Sequence, residues 1–108
     1  MKILFDQGTP VPLRAFLEGH EIHTLFEKGW HRLTNGDVIA AAILNGYDVL
    51  ISTDQNLRHQ HDVRQLRIGI VVLMTTSWPR IRENTGAVAA AIPHVQFGGL
   101  IEVRFEAG

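Results

Sequence analysis

Three carboxylates stand where acid chemistry could be done: Asp6, Asp37 and Asp54. Asp6 directly follows the apolar run Ile3-Leu4-Phe5, and Asp54 follows Val49-Leu50-Ile51 by way of Ser52 and Thr53. Asp37, ahead of Val38-Ile39, stands where a helix is expected to open. If they converge, three such acids hold a hard divalent cation, Mg²⁺ or Mn²⁺, through oxygen ligands. An ion of that kind activates water and offsets charge on a phosphodiester as it is cleaved.

Local roles compete with this chemistry. Thr34-Asn35-Gly36-Asp37 has the form of a capping box with Asp in its last position, and the helix dipole favours an acid there. Asp54, ahead of Gln55-Asn56-Leu57, also fits a cap. Asp6 is harder to account for. It lies before the cap expected at Thr9, and a carboxylate at the end of a buried strand is costly without a partner. Arg58, Arg64 and Arg67 follow Asp54, while Trp78, Arg80 and Arg82 form a second cationic and aromatic group. A base could stack on Trp78 while the arginines hold phosphates. A solvated arginine face with Trp78 in the core or at a helix start is the plainer account.

Other chemistries find little support. The chain has no cysteine, which excludes disulfides, thiolate metal sites and cysteine nucleophiles from it. His59 and His61 are two apart and would point to different sides of a helix. His20 and His23 flank a short strand, and His31 and His94 are isolated, so histidine metal ligation is not expected. Gly8 and Gly98-Gly99 lack the spacing of a phosphate cradle. Ser52 and Ser77 are the only serines, and neither lies in a nucleophile elbow.

The elements that would position the acids follow from apolar patterning. Lys2–Phe5, Val49–Ile51 and Ile68–Leu73 read as fully buried strands, Glu21–Thr24 as a short strand, and Leu100–Phe105, alternating on to Glu106, as an edge strand. Thr9-Pro10 reads as an N-cap and first-turn proline for a helix carrying Leu13, Phe16 and Leu17. Leu25–Leu33 is expected to hold one helical turn and a loop around Gly29 and Trp30. A helix starting near Thr34–Asp37, apolar nearly all round through Leu44, reads as buried and ends before Gly46. A polar helix is expected over Asn56–Gln65, and after a loop with a helix start at 75–79 a helix continues over Arg80–Ile92. Strands alternating with helices imply a mainly parallel sheet covered on both faces. Ligands of such sheets bind beyond the carboxyl ends of the strands, where Asp6 and Asp54 fall.

At 108 residues, 45% apolar and 19% charged, the chain is expected to be one globular domain spanning residues 1–108. Its formal net charge of −1 argues against a protein that coats nucleic acid by bulk charge. Ile3-Leu4-Phe5 is too short for a signal peptide, and no apolar run approaches the roughly 18 residues a membrane span needs. A cytoplasmic protein without a membrane partner is the expectation.

Three segments taken together carry a resemblance. Ile3-Leu4-Phe5-Asp6-Gln7-Gly8-Thr9-Pro10, then Asn35-Gly36-Asp37-Val38-Ile39, then Leu50-Ile51-Ser52-Thr53-Asp54-Gln55-Asn56-Leu57 resemble, in order and spacing, the small bacterial PIN-like family. Its members are single-domain relatives of VapC-type toxins and of the Mut-seven C-terminal RNase domain. The resemblance runs from Met1 to about Phe105. It implies a PIN-like three-layer α/β/α sandwich and an endoribonuclease dependent on Mg²⁺ or Mn²⁺. It further implies the toxin half of a toxin–antitoxin pair, often dimeric and neutralised by an antitoxin protein. Asp6, Asp37 and Asp54 match the family's catalytic, metal-binding acids. Gln7, Asn35, Asn56 and Arg58 are then assigned to the substrate, which is RNA and not DNA. Gln7, Asn35 and Asn56 stand where relatives often carry acids, and an amide coordinates through its carbonyl oxygen without bringing charge.

Two other classes fit parts of the pattern. One is a catalytically silent PIN-like module that binds RNA or a partner protein, which the amides favour. The other is a receiver-like phosphoacceptor domain, with acids after the first and a central strand. Against it, Gln7 breaks the acidic pair and no lysine follows Lys28.

Overall fold

A computed structural model describes residues 1–105 of the chain. Five strands form one sheet: β1 (Lys2–Phe5), β2 (Glu21–Thr24), β3 (Val49–Ser52), β4 (Gly69–Leu73) and β5 (Leu100–Val103). Their order is β2-β1-β3-β4-β5, and every pairing is parallel. The expected α/β class and parallel sheet are therefore present. Glu106, at the end of the alternating C-terminal segment, lies outside the described residues.

The strands are apolar without alternation because both faces of the sheet are covered. Successive side chains point to opposite faces. Ile3, Phe5, Val49, Ile51, Val71 and Leu73 pack on one face against Leu13, Leu17, Ile81, Val88 and Ile92. Leu4, Leu50, Ile70 and Val72 pack on the other against Leu25, Val38, Ile39, Ala42, Leu57 and Val63. Helices thus flank the sheet on both sides. Each fully buried aliphatic side chain contributes about 1.5–3 kcal/mol relative to exposure.

Three of the expected helical segments are shorter than their sequence suggests. Around Pro10 the expected helix is a 3-10 helix, Val11–Phe16, with Pro10 at its N-cap. Thr9 does not cap it; its hydroxyl donates to the Ile51 carbonyl at 2.9 Å, so tertiary pairing claims the side chain. Helix α1 (Leu25–Lys28) is fixed by a capping box of Thr24 and Glu27 and ends at Gly29 in the left-handed region. Helix α2 (Asn35–Leu44) buries Val38, Ile39 and Ala42, whereas Leu44 is 87% exposed. The expectation of a helix buried all round is corrected: the sheet offers it one face only.

Two expected helices are broken. Asn56–Gln65 yields α3 (Leu57–Gln60) and a 3-10 turn at Val63–Gln65, with His61 extended between them. Leu57 and Val63 are both buried, yet six positions apart they fall on different faces of a continuous helix. The break lets both reach the core. Arg80–Ile92 yields α4 (Trp78–Arg82), α5 (Thr85–Ala91) and a 3-10 turn from Ile92. Asn84 leaves the helical region there, ahead of Thr85 and Gly86, which are poor helix formers.

In a wholly parallel sheet all carboxyl ends share one edge. The chain leaves β1 toward β2 on one side and later builds β3, β4 and β5 on the other. The order therefore reverses between β1 and β3, and ligands of open parallel sheets bind in the crevice at such a switch point.

Candidate functional site

Register places two of the sequence-predicted acids together. Phe5 pairs with Ile51, so β1 and β3 end level with one another. The Asp6 amide donates to the Ile51 carbonyl at 2.8 Å, extending the pairing one residue past the strand. Its carboxylate then meets Ser52, whose hydroxyl donates to Asp6 Oδ2 at 2.8 Å. The same Ser52 oxygen accepts the Asp54 amide at 3.0 Å. One buried hydroxyl thus ties the two acid-bearing loops at the strand ends.

The loops lie close enough to constrain composition. Gly8 has φ +90°, and a Cβ there would stand 2.7 Å from Thr53 Oγ1. Only glycine meets both demands without a shift.

Asp6 is buried, at 8% exposure, and its carboxyl is held above the usual value of 3.8. Burial is the largest cause. The Ser52 hydroxyl and the Gln7 amide, donating to Oδ2 and Oδ1, pull it down, and the nearby Asp54 charge raises it further. Burial and a neighbouring carboxylate both disfavour the charged form of this acid.

Asp54 is held from two sides. The Asn35 side-chain amide donates to its Oδ2 at 2.9 Å, and the Asn56 backbone amide donates to its Oδ1 at 3.0 Å. Its backbone carbonyl also accepts from Leu57, at the start of α3. Asp54 therefore organises the turn into α3, and its charge still acts on Asp6. Asn56, not Asp54, occupies the N-cap position.

No family model, curated protein or solved structure matches this chain.

The remaining candidates divide. Asp37 is exposed in the first turn of α2, and its amide donates to the Thr34 hydroxyl. That is one half of the expected capping box, and no hydrogen bond ties its carboxylate to Asp6 or Asp54. Among the described residues no group of three or more His, Cys, Asp or Glu is assembled to hold a metal ion. The donors that do meet are two carboxylates with amide and hydroxyl neighbours. That set suits Mg²⁺, which is commonly held by one or two carboxylates plus waters and substrate phosphates. Gln7 is exposed beside Asp6. Arg58 is exposed and lies 3.9 Å from Glu102 rather than on Asp54. Trp78 is half-buried against the core and Phe16, in line with the plainer account of it.

Three features were not expected. Ser52 is fully buried at the centre of the site; a hydroxyl in an otherwise apolar strand was the available signal. A groove of about 650 Å³ runs along α3, lined by Arg58, His59, His61 and Arg64, and His61 lies beside Gly36 at the start of α2. A smaller cavity opens beside Asp6 between Val11, Phe26 and His31, and nothing local in the sequence joins those residues.

Proposed function

We propose that the protein is a metal-dependent endoribonuclease of the PIN-like type. The observation that carries this reading is the meeting of Asp6 and Asp54 through Ser52 at the switch point of the sheet. Asp6 and Asp54 would hold Mg²⁺ or Mn²⁺, which supplies an activated water and offsets charge on the phosphodiester. Asn35 and Asn56 fix the direction of the Asp54 carboxylate. Asp37, on the same first turn as Asn35, is the third acid of this reading. Gln7 lies beside Asp6 to contact substrate or water. Arg58 and Arg64 line the groove with His59, His61 and Asp62, and the two guanidinium groups suit a phosphate backbone. Hydrolysis joins the water oxygen to phosphorus, breaks the bond to the leaving ribose oxygen, and returns a proton to that oxygen. The same reading extends to a cytoplasmic toxin, in some states a homodimer, neutralised by an antitoxin protein.

The test is cleavage of single-stranded RNA in the presence of Mn²⁺. Asp6→Asn should abolish it, and full activity in that variant would overturn the assignment.

One observation favours a second reading. Asn35 engages Asp54 directly, where a further acid would strengthen a cation site. A silent module binding RNA or a partner protein would retain that binding with no uptake of Mn²⁺ by calorimetry.

A further inference from the structure

The cavity beside Asp6 has a volume of about 250 Å³ and lies at the carboxyl ends of β1 and β2. Its walls include Asp6, Gln7, Val11, Thr24, Phe26 and His31. Phe26 is 76% exposed, more than any other Phe, Tyr or Trp among the described residues, and Val11 is also exposed. The Phe26 and His31 rings lie 5.0 Å apart, tilted by 38°. The Gln7 carboxamide and the His31 ring have no hydrogen-bond partner among the described residues, since the one bond at Gln7 is made by its backbone amide.

These features select a class of ligand. Sites for drug-sized molecules occupy about 300–1,000 Å³, so this cavity suits a single ring system. Exposed aromatic rings at its mouth offer a stacking surface, which any base can use because every base has a π-face. A glutamine amide presents a donor and an acceptor together, and a histidine ring adds another polar edge. Asp6 belongs both to this cavity and to the paired carboxylates. In the ribonuclease reading, a phosphate held by a divalent cation at those carboxylates would place the base of the adjoining nucleotide near the cavity.

We infer that this cavity is a nucleobase subsite: the base stacks on Phe26, and Gln7 and His31 contact its polar edge. The inference rests on the ribonuclease reading for its place in catalysis, but base binding is measurable without cleavage.

The experiment titrates the full chain with the four nucleoside 5′-monophosphates and with ribose 5-phosphate, followed by NMR at the Phe26 and His31 rings. The nucleotides should bind at least about tenfold more tightly than ribose 5-phosphate and shift both rings, as expected where base stacking dominates. Phe26→Ala should weaken nucleotide binding on the order of tenfold and leave ribose 5-phosphate unchanged. Phe26→Trp, which keeps the stacking face, should retain nucleotide binding. Equal binding of ribose 5-phosphate and the nucleotides, or no effect of Phe26→Ala, overturns the subsite. Nucleotide binding that depends on Phe26 in a protein that cuts no RNA leaves the subsite standing and removes the ribonuclease reading. Cleavage that needs Asp6 but is indifferent to Phe26→Ala on every sequence removes the subsite alone.

Discussion

The Ser52 hydroxyl donates to Asp6 at 2.8 Å while its oxygen accepts the Asp54 amide at 3.0 Å. A hydroxyl has one proton to give, and this one is given to Asp6. Ser52 is therefore a positioning residue that sets the spacing of two acids, and its full burial keeps its oxygen from any substrate.

Removing that hydroxyl leaves a buried carboxylate with one donor fewer. Ser52→Ala should destabilise the fold by about 1–3 kcal/mol, the usual cost of orphaning a buried polar group. It should also push the Asp6 carboxyl further above its ordinary value, since the Ser52 bond lowers it. Urea denaturation and a carboxyl-carbon NMR titration check both. An unchanged Asp6 titration would mean that the bond does not form in solution.

Asp6 itself should cost stability at neutral pH. Its folded value lies above 3.8, so the folded state binds the proton more tightly than the unfolded chain. Stability should fall as pH rises from 3.8 through the raised value, and the penalty persists above it. Asp6→Asn removes the charge; its Oδ1 can still accept the Gln7 amide, while its Nδ2 would donate to the Ser52 oxygen instead of accepting from it. The variant should be more stable than the parent at pH 7, with the gain vanishing below pH 3.8. Thermal unfolding across pH measures it; a variant less stable at every pH would show that the charge is already compensated.

Gly8 should tolerate no side chain. Gly8→Ala combines φ +90° with a contact of 2.7 Å to Thr53 Oγ1, and a loss of about 1–3 kcal/mol is expected. Adding Thr53→Ala removes the contact but not the dihedral penalty, so the double variant should recover only part. Complete recovery would place the whole cost in the contact.

Asn35 reports on the cation reading. Asn35→Asp sets a like charge against Asp54, so the protein without added metal should unfold at a lower temperature. With Mn²⁺ the extra carboxylate should raise affinity about tenfold, seen as a larger metal-induced shift in Tm. The same shift as in the parent would count against a cation at Asp54.

Helix α2 tests which side of an apolar segment the core selects. Leu44→Glu should lie within about 0.5 kcal/mol of the parent, as substitutions away from the core do. Ala42→Leu, at a fully buried position, should cost about 1–3 kcal/mol by overpacking. Chemical denaturation of the two variants decides it.

Much of this protein is decided locally. The continuous apolar runs at Lys2–Phe5 and Val49–Ser52 can be satisfied only by strands covered on both faces, and Glu21–Thr24 needs just its own short pattern. Asp6 was legible for the same reason, because a carboxylate at the end of such a run demands a partner. What lay beyond the sequence depended on contacts between distant residues. Strand order and register bring Ser52 to Asp6 across 46 positions and Asn35 to Asp54 across 19, and no local pattern encodes either pairing. Thr9 is a plausible cap by itself, yet the Ile51 carbonyl takes its hydroxyl. The helix after Asp54 breaks because Leu57 and Val63 must both reach one core, a demand that exists only once the sheet is formed. Sequence by itself determined which strands must be buried and which acid needs a partner, since those follow from the transfer of side chains out of water. Tertiary structure alone decided who the partners are, because a hydrogen bond is set by distance in space.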